Sequence, residues 1–162
     1  MQKLKVAERF FGFDRNYTIT DERDQMIAYA NRFVFSWRKK ISLYTPDDEH
    51  IYDVMHEPFS WGRTFTLEDE HGPLFYIKKE WGIKSKLHVE SEISDDQYLI
   101  QGNIWSSEYS FYKNGEEFAF VTKKMWSLTG KYGIGILSDE DTHLVIALVL
   151  IIDLIIKRRR RS

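Results

Sequence analysis

Residues 143–162 read HLVIALVLIIDLIIKRRRRS, in which an apolar run from Leu144 to Ile156 leads into five basic residues, Lys157, Arg158, Arg159, Arg160 and Arg161. Before the run, Ser138 is suited to be an N-cap, and residues 139–141 (DED) put negative charge where a helix dipole favours it. The basic residues lie at the opposite end, where the dipole favours cations. Both ends predict a helix over about residues 139–157, followed by a basic tail over residues 157–162.

The length of this helix distinguishes a core element from a membrane span. Its thirteen-residue apolar body, Leu144 to Ile156, measures about 20 Å at a rise of about 1.5 Å per residue, whereas a bilayer core is about 30 Å thick. Asp153 lies within the run, and a carboxylate is costly at membrane depth. A helix that is apolar on nearly every side is buried all round, so the sequence favours a core helix. A membrane anchor stays the alternative, because basic residues after an apolar run also resemble a cytoplasmic stop.

Residues 3–137 alternate aromatic and β-branched runs with turn sequences, in about a dozen segments. The clearest hairpin is 108-EYSFYKNGEEFAFVTK-123, in which Asn114-Gly115 is suited to a type I′ turn, and a second turn is expected at residues 71–73 (HGP). Phe11, Phe35 and Phe59 are 24 positions apart within similar segments, which indicates either a repeating meander of hairpins or the ordinary alternation of strands and acidic turns in β proteins. The pattern predicts an antiparallel, mainly β architecture, and closing it into a barrel leaves a lumen for the apolar helix.

Length, composition and charge limit the classes of protein. A chain of 162 residues fits one domain, residues 1–162, and it contains no cysteine for disulfides or thiolate metal sites. The first residues lack the apolar stretch of a signal peptide, so a cytoplasmic location is expected. The net charge is −2, but without the five terminal basic residues 18 basic groups face 25 acidic ones, a charge of −7. Such an acidic body repels phosphate backbones, which argues against broad nucleic-acid binding.

Three basic residues beside a tryptophan form the second candidate site, Arg38, Lys39 and Lys40 after Trp37. Tryptophan is common at membrane interfaces, and each cation near an anionic membrane contributes about 1 kcal/mol. These three residues and the terminal five are therefore candidates for contact with an anion or anionic phospholipid, while ordinary solvated surface is the alternative for each. Contact with nucleic acid is a third interpretation of the terminal five. Asp153, if buried, requires a Lys, Arg, Tyr or Trp partner from a strand, and its role is then structural.

Three stretches resemble the LURP-one-related family, part of the tubby C-terminal-like group that also includes phospholipid scramblases. They are 59-FSWGRTFTLEDEHGPLFYIKKEW-81, 109-YSFYKNGEEFAFVTKKMWS-127 and 139-DEDTHLVIALVLIIDLII-156 with its late aspartate. The resemblance covers nearly the whole chain. It implies a closed barrel of twelve antiparallel strands around a hydrophobic C-terminal helix. For function the resemblance implies little: relatives in the wider group bind phosphoinositides or have been linked to lipid scrambling or membrane-tethered regulation, and their roles apply here by analogy alone.

Catalytic and metal signatures are missing from the sequence. The five histidines, His50, His56, His71, His88 and His143, show no helical i, i+4 pair, and no nucleophile elbow or phosphate-binding loop occurs. We therefore expect a non-enzymatic protein without metal or cofactor that binds an anionic phospholipid surface, peripherally, or a protein partner. The alternatives are a scramblase-like protein that inserts its C-terminal helix and a barrel that carries a small ligand. The sequence gives no indication of oligomeric state.

Overall fold

The computed structural model of this chain describes residues 1–8, 16–59, 63–80, 85–123, 132–138 and 142–161. These residues form twelve strands, one long helix and their described connections. The strands are β1 (Gln2–Glu8), β2 (Tyr17–Asp21), β3 (Met26–Arg32), β4 (Lys39–Tyr44), β5 (His50–His56), β6 (Arg63–Asp69), β7 (Gly72–Glu80), β8 (Ser85–Ser91), β9 (Gln97–Asn103), β10 (Glu108–Lys113), β11 (Glu116–Thr122) and β12 (Tyr132–Ile136). A short 3₁₀ turn (Ile104–Ser106) precedes β10, and helix α1 (Thr142–Arg161) follows β12.

The strands form a closed antiparallel barrel. Each pairs with its neighbours along the chain, and β1 closes the sheet by pairing with β12, where Leu4 faces Ile134. Every described strand therefore has a partner on both sides, which satisfies backbone groups that an open sheet would expose. The mainly β fold and the closed barrel of twelve strands are as the sequence predicts.

Helix α1 fills the lumen of this barrel. Every residue from Val145 to Leu150 is 0% exposed, and six consecutive residues cover more than one full turn of a helix. The helix is therefore surrounded by protein, and inward side chains such as Leu4 and Ile19 complete a single core. Each such side chain contributes about 1.5–3 kcal/mol by leaving water. Within the described ranges, no helix is both long and apolar enough to cross a membrane.

The helix ends later than the sequence predicts. Residues 139–141, which the prediction included, lie outside the described residues, and the helix is described from Thr142 onwards. At the other end the helix continues through Lys157 to Arg161, so the predicted basic tail is mostly its last turn. Lysine and arginine are good helix formers and are favoured by the dipole at a helix C-terminus, which explains the extension.

The turn predictions are met at one hairpin and shifted at another. Asn114 and Gly115 have φ values of 52° and 86°, the positive angles of a type I′ turn, and join β10 to β11. Between β6 and β7, Asp69 pairs with Gly72, so the turn residues are 70–71 and the expected turn begins one residue too late. Gly72 permits this two-residue turn because a residue without a side chain readily adopts its φ of 126°.

The two ends of the barrel differ in chemistry. The described connections between β2 and β3, β4 and β5, β6 and β7, and β8 and β9 carry nine carboxylates and one arginine, and we name this side the acidic end. The opposite side contains the β3–β4 connection (residues 33–38), the described part of the β5–β6 connection and the C-terminus of α1. We name it the aromatic end, because exposed aromatic side chains are concentrated there.

Candidate functional site

The aromatic end carries a cluster of exposed apolar side chains on two adjacent connections. Phe35 is 102% exposed, Phe59 81%, Val34 67% and Trp37 65%, and Phe33 stands at 36%. Trp37 and Phe59 contact each other edge to face, with ring centroids 5.5 Å apart. We name these five residues the aromatic patch. Large apolar side chains grouped on a surface indicate an interaction site, whereas single ones do not.

A groove of about 330 Å³ lies beside the aromatic patch, between the β3–β4 connection and the last turns of α1. Its lining combines apolar side chains with four cations, Arg32, Lys40, Lys157 and Arg158, and its described lining contains no carboxylate. Phe65 and Leu154 form its inner apolar wall and are 2% and 8% exposed. Arg32 and Lys157 each pair with Glu8. The surface therefore combines cationic and apolar side chains within one small cavity, with part of the positive charge neutralised.

His56 and Arg158 meet at the edge of the groove, with the guanidinium Nη1 2.7 Å from the imidazole Nε2. A guanidinium only donates hydrogen bonds, so Nε2 accepts, and the proton of this neutral imidazole is on Nδ1. Burial lowers the pKa of His56, and the charges of Arg158 and Lys40 lower it further, while Glu57 acts in the opposite direction. The neutral form of His56 is therefore favoured in the folded protein.

Asp153 lies deeper on the same side, in a polar network between α1 and the first two strands. The Tyr17 hydroxyl donates to Asp153 Oδ2 at 2.8 Å, and Lys157 Nζ lies 2.7 Å from the same oxygen. Lys157 also binds Glu8 and lies 3.1 Å from the Tyr17 hydroxyl. Asp153 therefore has a tyrosine partner from strand β2, as a buried carboxylate in the helix was expected to need. Its lysine partner comes from the helix itself.

The raised pKa values of two phenols, Tyr17 and Tyr109, fit a structural role for this network. Burial raises the pKa of the Tyr17 phenol, and the carboxylates of Asp153 and Glu8 raise it further. Burial also raises the pKa of Tyr109, with Asp153 as the second cause. Both phenols therefore stay protonated at neutral pH, and Tyr17 remains a hydrogen-bond donor to Asp153.

The three cations predicted beside Trp37 have different surroundings. Arg38 pairs with Glu57 at 2.8 Å on the exposed surface. Lys39 lies 3.2 Å from Asp53 and 5.7 Å above the Phe33 ring centroid. Lys40 donates to the Ser36 carbonyl at 2.8 Å and lines the groove. Lys40 is therefore the member of this set that contributes directly to the groove.

The five terminal cations also separate into different roles. Lys157 belongs to the Asp153 network, and Arg158 lines the groove and binds His56. The Arg159 guanidinium lies 4.3 Å from the Trp105 ring centroid, and Lys79 Nζ lies 5.4 Å from it. Burial lowers the pKa of Lys79, and Arg159 lowers it further. Arg160 is exposed, and the side chain of Arg161 lies outside the described residues.

Sequence reasoning missed Arg32, His56 and most of the aromatic patch. The signal for the patch is present in 33-FVFSWRKK-40, where three consecutive apolar residues break the strand alternation just before a basic run. An apolar run in a connection has no core to enter, so it indicates exposed apolar surface. No comparable local signal marks His56, because its partner Arg158 is 102 positions away.

Comparisons with known proteins agree with this architecture. The structure is similar to the crystal structure of a protein from Arabidopsis thaliana, with a TM-score of 0.71, over 95% of this chain and 90% of that chain. The sequence identity is 15%, so this likeness concerns the fold. A comparison with curated proteins gives no match. The family model described as LURP-one-related matches residues 2–153, in agreement with the resemblance in the sequence. The chain therefore belongs to the LURP-one-related family.

Proposed function

We propose that this protein is a non-enzymatic barrel that binds peripherally to anionic phospholipid surfaces through its aromatic end. The observation that supports this proposal is the exposure of the aromatic patch directly beside the cationic groove. Aromatic side chains are favoured at membrane interfaces, and cations beside them are attracted to anionic headgroups. Helix α1 stays within the barrel in this proposal, so attachment needs no change of fold.

The distribution of charge supports a defined orientation on the membrane. The acidic end carries nine carboxylates in its described connections, and an anionic surface repels them. The aromatic end has the opposite character, with Lys40 and Arg158 beside the patch. Each cation near the surface contributes about 1 kcal/mol, and each aromatic side chain that leaves water contributes up to about 1.5–3 kcal/mol. These terms support weak, reversible, end-on binding.

Liposome flotation tests the proposal, with neutral vesicles and vesicles containing phosphatidylglycerol at low and high salt. We expect wild-type protein to float with anionic vesicles at low salt. The double variant Phe35→Ser, Trp37→Ser removes two exposed side chains of the patch and is expected to reduce the bound fraction at least fivefold. The matched control is Ile93→Ser at the acidic end, because Ile93 is 65% exposed like Trp37. Lys157 is left unchanged, because its contacts with Asp153 and Glu8 are internal.

Three outcomes contradict this proposal. Failure of the wild-type protein to bind any vesicle leaves the aromatic patch as a surface for a protein partner. Equal loss of binding in the Ile93→Ser control shows that attachment does not depend on the aromatic end. Binding to neutral vesicles that survives high salt supports an inserted helix and the scramblase-like alternative.

A further inference from the structure

The groove at the aromatic end combines the features of a site for a single amphiphile. Its volume of about 330 Å³ lies at the small end of the range for ligand sites. Its lining includes Lys40 and Arg158, which supply positive charge, and Phe65 and Leu154, which supply apolar surface. A ligand with an anionic head and an apolar chain complements both kinds of side chain.

The donors of the groove match a phosphate group. Arg158 carries a planar fork of N–H donors, the geometry that binds two phosphate oxygens. Lys40 has three donors on its ammonium, one of which reaches the Ser36 carbonyl at 2.8 Å. Both side chains line the same cavity as His56, which ends strand β5. Two cationic side chains and a titratable ring thus line one cavity.

His56 makes anion binding in the groove dependent on pH. The charged groups around it are Arg158 on α1, Lys40 on β4 and Glu57 just after β5. Without an anion, the two cations disfavour a charged imidazole. A phosphate in the groove offsets their charge and accepts a hydrogen bond from a protonated Nε2, so anion binding favours proton uptake by His56.

Building on the proposed function, we propose that the groove binds the phosphate ester of one phospholipid molecule between Lys40, His56 and Arg158. The start of the lipid's apolar part lies against Phe65 and Leu154. Because binding and protonation of His56 favour each other, the affinity rises as the pH falls. Protonated His56 then donates to the phosphate in place of accepting from Arg158, which leaves the guanidinium to turn towards the lipid.

The test measures the pKa of His56 by NMR with and without dihexanoyl-phosphatidylglycerol below its micelle concentration. Its phosphodiester stays singly charged over the pH range of histidine, so changes in ionisation report the protein. The His56→Gln variant assigns the signal among the five histidines. We expect the lipid to raise the pKa of His56 by about one unit, equivalent to about tenfold tighter binding to the protonated protein.

Two controls identify the ligand and the site. Dimethyl phosphate has the same charge without an acyl chain, and at equal concentration it is expected to shift the pKa much less. Arg158→Gln is expected to abolish the lipid-induced shift, whereas Arg23→Gln, an exposed arginine at the acidic end, is expected to preserve it. An equal shift with dimethyl phosphate overturns the assignment to a lipid. A lipid-induced shift that persists in Arg158→Gln, or none in wild-type protein, overturns the site.

Flotation and NMR together separate the two proposals. If the protein binds anionic vesicles but the pKa of His56 does not respond to soluble lipid, the surface proposal stands and the groove proposal is refuted. A His56 response in a protein that binds no vesicle supports the groove and refutes the surface proposal. The His56→Gln variant adds a direct measure, because it retains an acceptor for Arg158 but cannot titrate. Its vesicle binding is expected to lose the rise between pH 7.5 and pH 5.5 that wild-type protein shows.

Discussion

Replacing Asp153 by alanine is expected to lower the free energy of unfolding by about 2–3 kcal/mol. The change removes the acceptor of the Tyr17 hydroxyl, and a hydrogen bond to a charged group contributes about 1.5–3 kcal/mol. Removing one member of a fully buried ion pair costs about 3–5 kcal/mol. The expected loss is smaller here, because Asp153 is 12% exposed and Lys157 keeps its contact with Glu8.

A double-mutant cycle isolates the contact between Asp153 and Tyr17. Tyr17→Phe removes the hydroxyl and is expected to cost about 1–2 kcal/mol, because the ring remains packed in the core. The double variant is expected to be more stable than the sum of the two losses predicts, by about 1–2 kcal/mol. Urea denaturation followed by circular dichroism gives the four free energies, and an unchanged slope shows that the comparison holds.

Tyr29→Phe is the matched control for this cycle. The Tyr29 hydroxyl donates to Asp48 at 2.6 Å, near the acidic end, far from the helix C-terminus. Its loss is therefore expected to add to that of Asp153→Ala within about 0.5 kcal/mol. If Tyr17→Phe and Asp153→Ala are also additive within that margin, the network does not connect the helix to β2 energetically. The structural role assigned to Asp153 is then refuted.

Two further predictions concern pH and packing. Burial lowers the pKa of His143, and burial with nearby cations lowers that of His56, so both favour their neutral forms in the folded state. Their contribution to stability is present above about pH 6.5 and is lost as the pH falls through their folded pKa values. Urea midpoints of the wild-type protein and of His143→Gln, taken over this pH range, measure that loss of stability. A Cβ on Gly135 would overlap the Phe120 ring, so Gly135→Ala is expected to cost about 1–3 kcal/mol. Adding Phe120→Leu is expected to recover much of this loss in thermal unfolding.

The sequence predicts the elements whose signals are local. The helix follows from an apolar run with opposite charges at its ends, and the Asn114-Gly115 hairpin follows from two residues that accept positive φ. Closure of the barrel was predictable because an all-apolar helix requires a surrounding sheet. The role of Gly135 was not, because a glycine in a strand is equally consistent with a bend, a helix contact or a neighbouring side chain. In the structure, the Phe120 ring on the neighbouring strand occupies the space above it.

The candidate site depends on contacts between distant parts of the chain. Tyr17 and Asp153 are 136 positions apart, and His56 and Arg158 are 102 apart. Such pairs form only when the barrel register and the depth of the helix are both fixed, and neither quantity has a local signature. Charge counting was misleading for the same reason. It treated five basic residues alike, whereas Lys157 pairs with Asp153 and Arg159 lies over the Trp105 ring.

The position of α1 after all twelve strands has a consequence for protein synthesis. The chain is made from β1 onwards, so every strand emerges from the ribosome before the helix that fills the lumen. Until the helix emerges, Leu4 and Ile19 have no helix to pack against, and β1 cannot close the sheet before β12, the last strand, is made. Unpaired strands of a nascent chain associate readily with other chains. We therefore expect folding to be completed only after translation of α1, and the yield in cells to depend on chaperones that hold the strands apart.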